Sequence, residues 1–163
     1  MSAFAQITAG GAAYDLKRAV RGDVRAIVDL IAADQIGATR DGGDLRPYER
    51  AFAVIDADPA QRLVVVADER GVVVGTLQLT FIPGLARRGA RRAQIEAVRV
   101  HHELRGRGLG HALFAWAIEE ARREGCSLVQ LTSDKRRANA HRFYARLGFV
   151  ASHEGFKLHL AGE

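Results

Sequence analysis

Arg105-Gly106-Arg107-Gly108-Leu109-Gly110 is the segment whose residue types and spacing point most directly to chemistry. It lies between an alternating stretch, Gln94 to Val100, and a long amphipathic one that runs to Arg123. Arg105, Gly108 and Gly110 carry the spacing Gln/Arg-x-x-Gly-x-Gly/Ala. A strand that feeds a glycine turn opening a helix directs backbone N–H groups at a phosphate. Gly108 and Gly110, lacking Cβ atoms, let a pyrophosphate approach the unpaired amides of the helix N-terminus. Arg105 and Arg107 add fixed positive charge beside it.

Other glycine motifs fit less well. A dinucleotide fingerprint would need glycine where His111 stands, and it would follow the first strand of the chain. A P-loop needs Gly-Lys-Ser or Gly-Lys-Thr, and neither triplet occurs. His101 and His102 have no partners at metal-ligand spacing, so no metal is assigned. Cys126 reads as a small buried residue before a strand. As the only cysteine it can form no internal disulfide, which fits a reducing cytoplasm. Ser133-Asp134-Lys135 reads as a solvated loop rather than a hydrolase site.

The elements that position the turn follow from periodicity. Tyr14–Val20 alternates as a strand, and Asp23 is placed to cap a helix carrying Val24, Ile27, Val28 and Ile31 on one face. Asp34–Arg46 is a polar loop, and Pro47 opens a second helix with Ala51, Phe52, Val54 and Ile55 as its apolar positions. Leu63–Ala67 and Val72–Ile82 form a hairpin, and a basic loop then leads to a strand from Ala93 to Val100. The helix after Gly108 buries Leu109, Ala112, Leu113, Trp116, Ala117 and Ala121, and turns Glu119, Glu120, Arg122 and Arg123 to water. Gly125 stops it. Leu128–Thr132 is a strand, and Ala140, Phe143, Tyr144 and Leu147 form the apolar stripe of a last helix closed by Gly148. Phe149–Ala151 and Phe156–Leu160 are expected as two final strands.

These elements specify an α/β domain of mixed α+β character over 14–163, behind a flexible lead-in over 1–13. A central, mixed, mostly antiparallel twisted sheet of about seven strands carries about four helices. At 163 residues and 48% hydrophobic content the chain suits one globular domain. No apolar run spans a membrane, and the N-terminus lacks the features of a secretory signal, so a cytoplasmic location is expected. A net charge of +5, carried mostly by arginine, suggests anionic partners. The charge leaves a nucleic-acid-binding module as an alternative. Aromatic residues make up only 7% and do not interleave with a basic stripe, so no nucleic-acid partner is expected.

The run IEAVRVHHELRGRGLGHALF, the LVQLTS strand and the NAHRFYARLGF helix together closely resemble the GNAT superfamily of acetyl-CoA-dependent N-acetyltransferases. The resemblance covers roughly Tyr14 to Leu160 and is strongest over Gln94–Phe149. It implies transfer of the acetyl group of acetyl-CoA directly to a primary amine, on a small molecule or a peptide N-terminus. It implies acetyl-CoA as cosubstrate, no metal, and a homodimer as the common assembly. Val98, Arg99 and Val100 match the strand whose backbone meets the pantetheine arm. Arg105, Gly106, Arg107, Gly108, Leu109, Gly110 and His111 match the pyrophosphate turn. Asn139 matches a coenzyme-binding position and is equally placed to cap the last helix.

Tyr144 matches the general acid toward the CoA thiolate; its spacing alone fits a core aromatic. Glu96 is the best candidate for the base that deprotonates the amine, or for a group that binds it. By strict alternation Glu96 shares a face with Val98 and Val100, where partial burial would raise its pKa. A salt bridge to a nearby arginine is the plainer reading, and a bulge in this strand would change the face it occupies. A CoA-binding domain without transferase activity is disfavoured by the presence of both Tyr144 and Glu96. For the acceptor, Asp34, Asp41 and Asp44 suggest a cationic amine. Arg87, Arg88, Arg91 and Arg92 suggest an anionic one, so the acceptor stays open.

Overall fold

Among the described residues, β-branched and aliphatic side chains at alternate positions build six strands: β1 (Ala5–Ala9), β2 (Ala12–Arg18), β3 (Gln61–Ala67), β4 (Val73–Ile82), β5 (Arg91–Val100) and β6 (Cys126–Leu131). The computed structural model describes residues 5–33 and 42–160. The strands form a single sheet in the order β1-β2-β3-β4-β5-β6. The first four pairings are antiparallel. β5 and β6 run the same way. Ser127 Oγ donates to the Arg91 carbonyl and Gln130 Nε2 to Gln94 Oε1, both across 36 residues of sequence.

The described residues form five helices: α1 (Val24–Ala32), α2 (Arg46–Ala57), α3 (Ala86–Gly89), α4 (Leu109–Arg123) and α5 (Ala138–Arg146). α1 and α2 cover one sheet face, where Ile27, Val28 and Phe52 pack with Leu63 and Val65. α4 lies on the other. There the residues of β3 to β5 are Val64, Val66, Leu77, Leu79, Phe81, Ala93 and Ile95, all buried. α4 buries Leu109, Leu113, Phe114, Ala117 and Ala121.

The C-terminal end of α4 is fastened to that second face. Arg62 of β3 and Arg91 of β5 set their guanidinium groups 5.4 and 5.1 Å from the Phe81 ring centroid. Both then bond Glu124, at 2.9 and 3.0 Å. Glu124 is also the residue that ends the helix, before Gly125 turns at φ +72°.

The chain divides into two compact units, one ending at Gln130 and the other beginning at Leu131. The second holds α5, which ends as the sequence anticipates. Gly148 adopts φ +89°. Its N–H donates to Ala145, and the Phe149 N–H to Tyr144, the paired bonds of a glycine-terminated helix.

The fold is the expected mixed α/β type, with six strands rather than about seven. Within the expected lead-in over 1–13, the described residues 5–13 are structured: β1 lies among them and pairs with β2 through the tight turn at Gly10 and Gly11. The two final strands do not form. Residues 149–160 have no regular secondary structure, and Phe156 is 92% exposed. The alternation Phe-Lys-Leu-His-Leu supplies strand propensity, but a strand exists only where a neighbour completes its hydrogen bonds. In α2 the expected apolar position Val54 is 72% exposed, and Phe52 alone is fully buried there. Glu120 does not simply face water. It is half-buried and pairs with Arg62 and Arg123.

Candidate active site

β5 is regular until Glu96 and then breaks. Gln78 of β4 faces Glu96 and Thr76 faces Arg99, so Leu77 alone opposes two residues, Ala97 and Val98. Ala97 takes φ +51°, unusual for a residue with a Cβ. The extra residue is a β-bulge. It reverses the alternation expected for this strand: Glu96 falls on the face of Gln78, Thr76 and Arg99, while Val100, opposite Gly75, falls on the α4 face. Glu96 is therefore separated from Val100, contrary to strict alternation. It is also exposed rather than partly buried, so the burial expected around this carboxylate is not there.

Past the bulge, Arg99 bonds the Val98 carbonyl at 2.8 Å and the His101 N–H bonds Val74 at 2.8 Å. A short 3-10 turn, His102–Leu104, then leads into Arg105. Gly106 and Gly108 have φ of +76° and +88°, a region closed to most side chains. Gly108 is the N-cap of α4, and its carbonyl accepts from Ala112 at 3.0 Å. Among the described residues no acceptor serves the N–H groups of Gly106, Gly108, Leu109, Gly110 and His111. Arg105 and Arg107 are exposed, and the Arg105 Nε donates to the Val100 carbonyl at 3.4 Å. Leu109 alone in the turn is buried and seats the helix.

The β1–β2 hairpin supports this turn from below. A Cβ at Gly10 would come within 3.3 Å of the Arg107 Cβ and 3.4 Å of its carbonyl oxygen. That approach is tight for a side chain, and Gly10 also holds φ +56°, which favours glycine. This contact is invisible to a reading that leaves residues 1–13 outside the fold.

Asn139 and Tyr144 lie in the second unit. α5 begins at Ala138 with Arg137 as its N-cap, so Asn139 sits inside the helix and is not its cap. Its Oδ1 instead accepts from Arg142. Tyr144 is half-buried, edge-on to Phe143 at 5.6 Å and to Phe149 at 6.2 Å between ring centroids.

The remaining candidates are occupied elsewhere. Asp44 is bound by Arg46, whose hydrogen bond holds its carboxyl below the usual range. Asp34 and Asp41 lie outside the described residues. Cys126 is only half-buried, and desolvation still pushes its thiol pKa up. Arg91 belongs to the Glu124 cluster, whereas Arg87 and Arg88 are exposed on α3 with left-handed φ of 55° and 61°.

Residues 26–149 match the profile of the Acetyltransferase (GNAT) family. The chain belongs to that family. A Bacillus halodurans structure described as a transcriptional regulator is 43% identical, with a TM-score of 0.86, covering 90% of this chain and 99% of that one. A putative acetyltransferase from Agrobacterium tumefaciens is 30% identical at a TM-score of 0.78, with the same coverage. The aminoalkylphosphonate N-acetyltransferase of Salmonella typhimurium is 43% identical over 63 residues, 39% of this chain and 41% of that protein. The match thus spans about two fifths of that curated relative's length. As a GNAT-family protein, the chain carries an acyl-transferring type of fold. Among the described residues, no helix is long and apolar enough to cross a membrane.

Proposed function

We propose that this GNAT protein is an acetyl-CoA-dependent N-acetyltransferase acting on a primary amine. The observation that carries the proposal is the turn from Gly106 to His111: the N–H groups of Gly106, Gly108, Leu109, Gly110 and His111 have no acceptor among the described residues, and Arg105 and Arg107 beside them are exposed. Such a turn meets the needs of a pyrophosphate, which offers several acceptor oxygens and more than one negative charge. Val98, Arg99 and Val100, past the bulge, are the residues whose backbone would meet the pantetheine arm. Asn139 is a further coenzyme contact in this reading.

The reaction joins the amine nitrogen to the acetyl carbonyl carbon and breaks the carbon–sulfur bond. An amine is protonated at neutral pH, so one proton must leave it before attack. Glu96, exposed on β5 beside the bulge, takes that proton directly or through water. The Tyr144 hydroxyl donates to the departing CoA sulfur. Positioned groups of this kind are each worth about 10²–10⁴-fold in rate. The relative from Salmonella, named for an aminoalkyl acceptor, supports an amine rather than a hydroxyl as nucleophile.

The test has two parts. Acetyl-CoA at about 100 times its Kd is expected to stabilise the protein by about 2.7 kcal/mol, read as a rise in Tm. Tyr144→Phe is expected to cut amine-dependent release of CoA thiol by about 10²-fold or more while that Tm rise persists. A protein whose Tm ignores acetyl-CoA sinks the proposal. Unchanged turnover in Tyr144→Phe returns Tyr144 to a packing role.

A further inference from the structure

Glu96, the last regular residue of β5 before the bulge, stands in a row of half-buried amide side chains on the face opposite α4. Gln78 is its direct cross-strand neighbour, and Gln94 precedes it on the same strand and face. The hydrogen bonds within the row leave one end of each amide over. Gln78 Nε2 donates to Gln61 at 3.1 Å, and among the described residues nothing donates to Gln78 Oε1. Gln94 Oε1 accepts from Gln130 at 2.7 Å, and no described residue accepts from Gln94 Nε2. The row is therefore polarised. Beside the bulge it offers acceptors, the Glu96 carboxylate and Gln78 Oε1. Toward the β4–β5 hairpin it offers donors, Gln94 Nε2 and then Arg92.

Arg92 continues the same face, opposite Ile82. It is half-buried, and no acidic residue among those described pairs with it. This sets it apart from Arg62, Arg91 and Arg18, each of which is bonded to a carboxylate. A guanidinium with five donors and no carboxylate is suited to an incoming anion.

We infer that the acceptor is a small zwitterion: a primary amine bound by Glu96 and Gln78, carrying an anionic group read by Gln94 and Arg92. This rests on the transferase reading above and names its substrate class. An ammonium has three donors and needs acceptors; a carboxylate or phosphonate needs donors. The two ends of the row supply them in that order. Glu96 and Gln94 are two residues apart on the strand, about 7 Å, which suits about two or three carbons between nitrogen and anion. Gln94 and Arg92 are specificity residues, and the group transfer itself stays with the amine at the bulge.

The experiment uses the full chain with acetyl-CoA and four amines of similar length: 3-aminopropanoate, 2-aminoethylphosphonate, 3-aminopropan-1-ol and propylamine. Thiol release gives kcat/KM for each. The anionic amines are expected to exceed the neutral ones by about tenfold or more, since bonds to a charged group are the strong ones. The carboxylate and the phosphonate arms decide which anion is preferred. Gln94→Leu and Arg92→Gln are expected to bring the anionic-to-neutral ratio toward one, mainly through KM, and Arg92→Lys to restore part of it. Equal or better turnover of propylamine by the unaltered protein overturns the inference, as does a ratio that neither substitution moves. If no amine turns over, binding is measured instead by calorimetry with the same four compounds. Binding of the anionic pair that Gln94→Leu weakens keeps the inference and removes the transferase reading. Absence of any preference in binding removes the inference.

Discussion

Gly108→Ala separates what the glycine turn does for stability from what it does for the coenzyme. Gly108 holds φ +88°, and a Cβ built there meets nothing within 4 Å. Sterics with neighbours are therefore absent, and the whole cost is conformational. A left-handed residue with a Cβ costs about 1–2 kcal/mol. The less flexible unfolded chain of the variant returns about 0.4–1 kcal/mol. The net loss is about 1 kcal/mol, a fall of about 2–4 °C in Tm for a chain of this size. Gly125 closes the same helix at φ +72°, also with nothing within 4 Å of its Cβ, so Gly125→Ala carries the same conformational cost. Only Gly108 sits among the unpartnered amides. If one bond from those amides to the pyrophosphate is lost, at about 1.5–3 kcal/mol, the Kd for acetyl-CoA rises by about tenfold or more. Differential scanning fluorimetry without ligand and calorimetric titration with acetyl-CoA measure the two quantities. Both variants should lose similar Tm, and only Gly108→Ala should lose affinity. Matched affinities in the two variants would refute the assignment of the turn, and an unchanged Tm in both would refute the strain argument.

Glu96→Gln keeps the size and the exposure of the side chain but removes its capacity to take a proton. Turnover at neutral pH is expected to fall by about 10²-fold or more, with part of the rate returning at high pH as the amine deprotonates itself; a flat loss across pH argues against a base. Phe81, 1% exposed, is the surface against which Arg62 and Arg91 lie. Phe81→Ala is expected to cost about 3–5 kcal/mol in urea unfolding. Asp68 accepts from the N–H groups of Val72 and Arg70 in the β3–β4 turn, and the Val72 bond foremost lowers its pKa. Because its folded pKa lies below its unfolded one, its contribution is present above about pH 4 and is lost as pH falls through the folded value. The Asp68→Asn variant should show a shallower loss of urea midpoint in that acid window.

Much of the site was legible because its chemistry is local. The turn at Gly108, the stop at Gly125 and the last-helix stop at Gly148 each depend on a backbone conformation that one residue type permits. The bulge was not legible in the same way. Ala97 carries no signature of positive φ, and only the register against β4 shows that Val100 has left the face of Glu96. β1 was missed because Ala5–Ala9 is short and is an edge strand, so its identity comes from its pairing with β2. At Phe156–Leu160 the pattern suggests a strand, and no described neighbour completes one. Glu119, Arg122 and Arg123, turned to water as expected, pair as Arg122–Glu119 and Arg123–Glu120, and Glu120 is drawn inward to Arg62.

The two ends of α4 are treated unequally, and this has a consequence for how the empty protein behaves. Its last turn has Arg122 and Arg123, and Arg62 and Arg91 close on Glu124 beside it, so the negative pole of the helix is neutralised. Its first turn has no acidic residue and its N-cap no side chain, so the positive pole has no counter-charge of its own in that turn. An arriving pyrophosphate therefore acts as the missing N-terminal cap. The coenzyme and the first turn of α4 should stabilise each other, and amide exchange at Leu109 to Ala112 should slow when acetyl-CoA binds while exchange near Glu124 stays as it was.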